Sequence, residues 1–171
     1  MKIKFSSIVV IAVMGLISGC QSMHIAEYGQ FPTGTFMKAT MLSGGIYPTA
    51  PNAKPVPTLF RVNGININDI NVLPTNATGC FAMAEAVGNL STERADYRLT
   101  TLSCLNNDGK TIIDESIKGF VVGADGKAGI PGHVLVHKID APPYVEANVE
   151  VKPGQTANLV MSESVKFQIK N

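Results

Sequence analysis

The sequence predicts an all-β domain, built either as a β-sandwich or as a distorted β-barrel. From Thr35 onward, short runs rich in Val, Ile, Thr and Phe alternate with clusters of Gly, Pro, Asn and Asp, the pattern of short strands joined by turns. No stretch shows a long helical period, a heptad or an internal repeat. The length suits a single β domain, which we place at residues 35–171.

The N-terminus has the pattern of a secretory signal peptide. Lys2 and Lys4 precede an uncharged apolar run at residues 8–17, and small residues follow. The apolar run is half as long as the roughly 20 residues that a membrane-spanning helix needs. We therefore expect residues 1–19 to be a signal peptide that is removed on export.

Ile17-Ser18-Gly19-Cys20 resembles the lipobox that the lipoprotein signal peptidase cuts. Small side chains at 18 and 19 let the backbone enter a narrow protease site, and the Cys20 thiol is the nucleophile that accepts the lipid. An ordinary signal peptide with a chance cysteine is the alternative. We expect lipidation at Cys20, which gives a stable membrane anchor because each buried CH₂ contributes ~0.8 kcal/mol. Gln21, where an aspartate would favour the inner membrane, indicates the outer membrane with the domain facing the periplasm.

Residues 20–34 are expected to form a lipidated tether that leads into the domain. The predicted strands are residues 35–42, 58–62, 79–87, 97–104, 111–122, 133–138, 144–151, 156–161 and 165–169. The turn sequences Asn107-Asp108-Gly109, Ala124-Asp125-Gly126 and Lys152-Pro153-Gly154 separate several of them. Residues 44–57 hold four prolines and predict a surface loop, and residues 90–95 could form one short helix.

Cys80 and Cys104 are predicted to form a disulfide. If the strands at 79–87 and 97–104 form an antiparallel hairpin, Cys80 lies directly opposite Cys104, Ala82 opposite Leu102, and Ala84 opposite Thr100. Directly opposed residues have Cα atoms about 4.5–5.5 Å apart, within reach of a disulfide. An exported chain also enters an oxidising compartment. Two buried free thiols are the alternative.

The sequence indicates a protein that is not an enzyme, with no catalytic residues, metal site, cofactor or small-molecule substrate. His133 and His137 would lie ~13 Å apart along a strand, too far apart to chelate one metal ion. Glu93-Arg94 suggests a local salt bridge, and the glycine-rich residues 123–132 have no helix behind them to form a phosphate cradle. Without Lys2 and Lys4 the chain has 12 basic and 13 acidic residues, which argues against nucleic acid as a partner.

The middle of the chain resembles the C-terminal domain of the TraB/TrbI family, outer-membrane core proteins of conjugative type IV secretion systems. The resemblance is carried by GCFAMAEAVGNLSTERADYRLTTLSCLNNDG (79–109) and IKGFVVGADGKAGIPGHVLVHK (117–138). FPTGTFMKATMLSGG (31–45) and VEVKPGQTANLVMSESVKF (149–167) are similar to the opening and closing strands of that domain. The resemblance covers residues 31–167 and implies a β-sandwich or distorted barrel of the type IV core-complex kind.

The sequence departs from the family pattern in ways that affect the expected role. Family members are longer, with an inner-membrane helix and a proline-rich linker ahead of the domain. Between the strand at 133–138 and the closing strands they carry a long helical insertion that lines the outer-membrane channel, where this chain has only residues 139–144 (IDAPPY). Asn89 replaces a usual acidic residue, and Pro131-Gly132-His133 replaces a typically basic stretch.

The resemblance implies a structural lipoprotein of a type IV secretion core complex that does not itself form the pore. The expected partners are the core-complex subunits and the membrane through the Cys20 lipid, with other copies of this chain as a further candidate. The alternative is a regulatory or exclusion lipoprotein that mimics a core subunit and interferes with transfer.

Overall fold

A computed structural model describes residues 28–67, 70–71, 77–140 and 143–168, and the regular structure in these ranges is β throughout, which confirms the predicted class. The strands are β1 (Tyr28–Phe31), β2 (Phe36–Met41), β3 (Gly45–Pro48), β4 (Val56–Ile67), β5 (Ile70–Asn71), β6 (Ala77–Asn89), β7 (Arg94–Asn106), β8 (Thr111–Gly123), β9 (Ile130–Pro131), β10 (His133–Asp140), β11 (Pro143–Val151), β12 (Thr156–Met161) and β13 (Val165–Gln168). In these ranges, no helix has the length and apolar character that crossing a membrane would require.

Six strands close into an antiparallel barrel. Their order is β2-β12-β8-β7-β6-β4, and the barrel closes because β4 also pairs with β2, from Phe36 opposite Asn66 to Met41 opposite Phe60. Closure gives each of these six strands a hydrogen-bonded neighbour on both sides. Two smaller sheets lie outside the barrel, with the orders β1-β13 and β10-β11-β3.

Side chains fill the barrel interior, with small residues facing large ones. Along β6 the inward residues are all small: Cys80, Ala82, Ala84 and Ala86. The residues opposite them on β7 are Cys104, Leu102, Leu99 and Tyr97. The period-two alternation of burial along β6 follows from the strand geometry, which sends successive side chains to opposite faces. The interior is therefore a packed core.

The barrel has two ends with different coverings. At the end formed by Phe36 and Met161, the β1-β13 sheet covers the core through Phe31 and Phe167, whose rings stack with centroids 4.5 Å apart. We call this the β13 end. At the opposite end, formed by Met41 and Thr156, the β10-β11-β3 sheet covers the core. We call this the β11 end.

Aromatic side chains close the β11 end. The Tyr47 ring meets the Tyr97 ring edge to face at 5.4 Å, and the Phe60 ring meets Tyr97 at 5.5 Å. The buried Tyr47 hydroxyl shares a 2.9 Å hydrogen bond with the Thr58 hydroxyl. Tyr97 donates to Met41 Sδ, and burial raises the pKa of the Tyr97 phenol above its ordinary value.

The predicted turns occur where expected. Gly109, Gly126 and Gly154 have φ of 76°, 77° and 86°, the left-handed region that glycine enters without steric cost. Each of these glycines follows the polar or proline-containing dipeptide that predicted the turn. The β7–β8 and β11–β12 connections are therefore short.

The structure differs from the sequence-based assignment in three segments. Residues 28–34, placed in the tether, contain β1, and Phe31 is buried against the core because β1 pairs with β13. Residues 44–57, predicted as a loop, contain β3, which pairs with β11. The possible short helix at 90–95 is wrong, since residues 90–93 form a turn and β7 begins at Arg94.

Candidate interaction surfaces

A buried arginine organises the β11 end. Arg94 opens β7, and its guanidinium donates to both carboxylate oxygens of Asp125 at 2.8 Å. It also donates to the backbone carbonyls of Ala128 at 2.7 Å and Gly129 at 2.8 Å. The guanidinium is planar and holds its N–H donors in fixed directions, so it can bond all of these acceptors at once. A lysine ammonium could not satisfy them together.

The glycine-rich segment after β8 wraps around this guanidinium. Gly129 has φ of 73°, and a Cβ there would lie 2.5 Å from the Ala95 carbonyl oxygen, so the close approach requires glycine. The sequence suggested a local salt bridge at Glu93-Arg94. In the structure the partner of Arg94 is Asp125, while Glu93 has a positive φ of 54° in the preceding turn. The two most distinctive segments of the chain, GNLSTERA and GADGKAG, therefore meet at one ion pair.

The same ion pair perturbs the Asp125 carboxyl. The hydrogen bonds from Arg94 lower the pKa of Asp125 from 3.8 to about 2. The Asp125 side chain is 41% exposed, whereas that of Arg94 is 9% exposed. The arginine is thus the buried partner, and Asp125 forms the solvent side of the centre.

Exposed apolar side chains gather at the β11 end. Seven large hydrophobic side chains of the described residues are exposed, and five of them lie at this end: Leu42, Ile46, Val87, Leu90 and Val136. The five do not share one face, since Ile46, opposite Glu150, and Val136, in the series of Val134, lie on opposite faces of the β10-β11-β3 sheet. Single exposed apolar residues are common, but their concentration at one end of a small domain favours an interaction there. We call these five residues the apolar rim.

Two adjoining depressions shape the surface between the apolar rim and β11. Their cavity volumes are about 410 and 510 Å³, and both are lined by Thr49, Ala50 and Leu90. Ala147 and Asn148 of β11 form the far wall of the larger one. The Thr49 hydroxyl donates to the Ala147 carbonyl, which holds the loop after β3 against β11.

Strand β10 presents an open edge on the far side of β11 from these depressions. On one side it pairs with β11 over its whole length, from His133 opposite Glu150 to Asp140 opposite Pro143. On its other side, no strand of residues 28–67, 70–71, 77–140 or 143–168 pairs with it. An open strand edge offers unpaired backbone donors and acceptors, so it can add a strand from a partner.

The two histidines considered as metal ligands lie on this strand. His133 and His137 are both exposed, as expected for surface residues of a strand. They face Glu150 and Glu146 across the β10–β11 pairing. No group of three or more potential metal-ligating side chains occurs among the described residues.

Cys80 and Cys104 form the predicted disulfide, with Cα atoms 4.0 Å apart. The predicted pairing of Ala82 with Leu102 is also present. Ala84, however, faces Leu99 and not Thr100, because an irregularity between Met83 and Ala84 shifts the register. Such a β-bulge inserts one extra residue on one strand and leaves the pairing on either side intact.

Asn89 supports the turn that carries Leu90. Its side-chain amide donates to Asp96 at 3.0 Å, and its oxygen accepts from the Ser91 backbone N–H at 3.1 Å. This position, where the sequence departs from the TraB/TrbI pattern, thus has a local structural role. The lipobox residues Ile17, Ser18, Gly19 and Cys20 lie outside the described residues.

The Arg94–Asp125 ion pair and the apolar rim were not predicted from the sequence. Both depend on segments that are distant along the chain, and the only local signal was the unexplained density of glycines after β8. A glycine cluster with no helix behind it indicates backbone that must approach another group closely, and here that group is the Arg94 side chain.

No family model matches this chain. The chain is 41% identical over 107 residues to protein TraB of Escherichia coli (strain K12). The match covers 61% of this chain and 22% of TraB, so this chain spans about a fifth of the length of the relative it matches.

Proposed function

Because the chain is 41% identical to protein TraB over 107 residues, we propose that it is a structural lipoprotein of a conjugative type IV secretion core complex. It is anchored in the outer membrane through Cys20, faces the periplasm, and does not itself form the pore. The concentration of the apolar rim and the open β10 edge at one end of the barrel is the observation that carries a structural role. Such a surface fits a protein partner.

The proposed contact combines two kinds of interaction. The β10 edge adds a strand from a core-complex subunit, or from a second copy, through backbone hydrogen bonds. The depressions beside Leu90 accept apolar side chains of the same partner. The Arg94–Asp125 centre supports this surface from below, since it fixes the start of β7 and the turn before it.

The filled barrel supports a role without conduction. Buried side chains such as Phe60, Leu102 and Leu159 occupy the barrel interior. At the place of the family's helical insertion, β10 and β11 are joined directly, with Asp140 opposite Pro143. The proposed role is therefore to bind to the secretion ring and hold it at the membrane.

The regulatory alternative has its own supporting observation. The match covers 22% of TraB, and the described residues form a closed barrel with the apolar rim at one end. A domain of that kind can occupy a subunit's contact surface without extending the assembly, and so block transfer. Deletion of the gene separates the two roles: loss of transfer indicates a structural part, and increased transfer indicates an inhibitor.

The proposal is tested by co-purification of the lipoprotein with core-complex subunits from its native host. Leu90→Asp and Val136→Asp should each reduce the recovered subunits, since a charge in the apolar rim must be desolvated on binding. Thr111→Asp is the control, because Thr111 is exposed at the start of β8, at the β13 end of the barrel. Failure of the unmodified protein to recover any secretion subunit, with transfer unchanged on deletion, would contradict the assignment.

The anchor and the no-pore statement have separate tests. Cys20→Ser should leave an uncut precursor or release the protein from the membrane fraction, and Gln21→Asp should shift it toward the inner membrane. Normal processing and retention of Cys20→Ser would contradict lipidation. In planar bilayers the purified lipoprotein alone should give no steady single-channel conductance, and a stable conductance would refute the no-pore statement.

A further inference from the structure

Three apolar side chains form a row on the outer wall of the barrel. Phe36 of β2 lies opposite Val160 of β12, and Val160 lies opposite Phe120 of β8. Phe120 is 45% exposed, while Phe36 and Val160 are half-buried. We call these three residues the wall triplet.

The wall triplet lies at the β13 end, where the N-terminal part of the chain joins the barrel. The Gly34 N–H donates to the Met161 carbonyl at 2.9 Å, and the Met161 N–H donates to the Thr35 carbonyl at 2.9 Å. Phe36 and Val160 are the next residues along their strands. The triplet is therefore within one residue of the point at which the chain enters the barrel.

The distance to the proposed lipid is limited by the chain. Cys20 precedes Tyr28, the first residue of β1, by eight positions, and an extended chain spans at most ~3.5 Å per residue, or roughly 28 Å. The β11 end lies a further ~17 Å away along β12. The β13 end is thus the end nearer to a lipid on Cys20, but a tether reach of roughly 28 Å exceeds this ~17 Å, so a second contact is needed to fix which end faces the bilayer.

Three basic and two acidic side chains surround the wall triplet, since Glu163 pairs with Lys118 and Glu85 lies opposite Arg98. Lys38 follows Phe36 on the same face of β2, and Arg98 lies opposite Phe120. Lys118 precedes Phe120 on the same face of β8 and forms an exposed ion pair with Glu163 at 3.1 Å. Exposed pairs of this kind are weak, so Lys118 can exchange the carboxylate for a phosphate.

We propose that the wall triplet docks on the lipid headgroup region of the membrane that holds the anchor, and so directs the β11 end away from the bilayer. Apolar side chains flanked by lysine and arginine suit that region, since the rings enter the acyl boundary while the cations remain among the phosphates. The inference depends on the proposed lipidation of Cys20. It adds a second, weaker membrane contact and gives the open β10 edge a defined direction.

The test uses single tryptophans, because the chain contains no Trp. Phe120→Trp reports on the wall triplet, and Leu90→Trp at the β11 end is the matched control, since both native side chains are 45% exposed. Each lipidated variant is reconstituted into phosphatidylethanolamine–phosphatidylglycerol vesicles with brominated acyl chains. Phe120→Trp fluorescence should be quenched at least about twofold more than that of Leu90→Trp, because an interfacial ring enters the headgroup–acyl boundary.

The outcomes separate this inference from the proposed function. If both variants float with the vesicles but show equal quenching, or stronger quenching at Leu90→Trp, the docking inference is overturned and the anchor stands. If neither variant carries lipid or floats with the vesicles, the anchor fails and the inference fails with it. The same tryptophans in the Cys20→Ser background should show no preferential quenching.

Discussion

Replacement of Arg94 by methionine should destabilise the barrel by about 3 kcal/mol, since one buried and one part-buried carbonyl, each costing roughly 1–3 kcal/mol when unpaired, lose their donor. These carbonyls belong to Ala128 and Gly129 and lie 2.7 and 2.8 Å from the guanidinium nitrogens. Methionine keeps much of the apolar stem, so lost packing adds little. The Asp125 carboxylate is exposed and remains solvated by water, so loss of the ion pair itself adds little.

The assay is urea unfolding of the lipid-free chain beginning at Gln21. With a slope near 2 kcal/mol per molar, Arg94→Met should lower the midpoint by about 1.5 M. Arg94→Lys should give an intermediate loss, because the charge remains but the fork of donors does not. Arg98→Met, at an exposed position on the same strand, should change stability by less than about 0.5 kcal/mol. An Arg94→Met midpoint equal to that of Arg98→Met would refute the reasoning.

Three further predictions concern stability. Reduction of the Cys80–Cys104 disulfide should remove about 3 kcal/mol by releasing a loop of about 25 residues in the unfolded chain, and a melting temperature unaffected by reductant would contradict this. Because the pKa of Asp125 is about 2 in the folded protein and 3.8 ordinarily, its stabilising effect is complete above pH 5 and declines as the pH falls through about 2. Asp125→Asn should therefore lose less stability than the native chain between pH 5 and pH 2.5, as measured by urea midpoints at both values. Gly119→Ala should destabilise the barrel, because a Cβ at Gly119 would lie 2.1 Å from the Val160 carbonyl oxygen, and an unchanged unfolding midpoint would contradict the close approach.

The hairpin of β6 and β7 shows what local pattern can and cannot predict. The alignment that places Cys80 opposite Cys104 also places Ala82 opposite Leu102, and both pairings are present in the structure. They agree because register continues by steps of two along paired strands. The bulge near Ala84 was not predictable, because the apolar residues Leu99 and Leu102 are compatible with either face until the barrel curvature selects one. A bulge is a response to tertiary geometry.

The short strands were missed for a different physical reason. Residues 28–31 and 45–48 have too few positions to show alternation, and each becomes a strand only because another strand lies beside it. The same holds for the ion pair of Arg94 with Asp125, whose members are 31 positions apart. Local composition predicted that the domain is built from strands, while these contacts depend on how the strands are arranged.

The pairing of β2 with β12 has a consequence for how an exported chain is assembled. Phe36 and Val160 are 124 positions apart, so a chain that emerges from its N-terminus, during synthesis or during the proposed export, presents β2 long before β12. Until β12 follows, β2 and β8 each have an open side that can pair with other chains. A nonsense mutation or proteolytic cut that removes residues beyond 155 should thus do more than shorten the protein. It would leave an open five-stranded sheet with two unpaired edge strands, a species prone to aggregation and degradation.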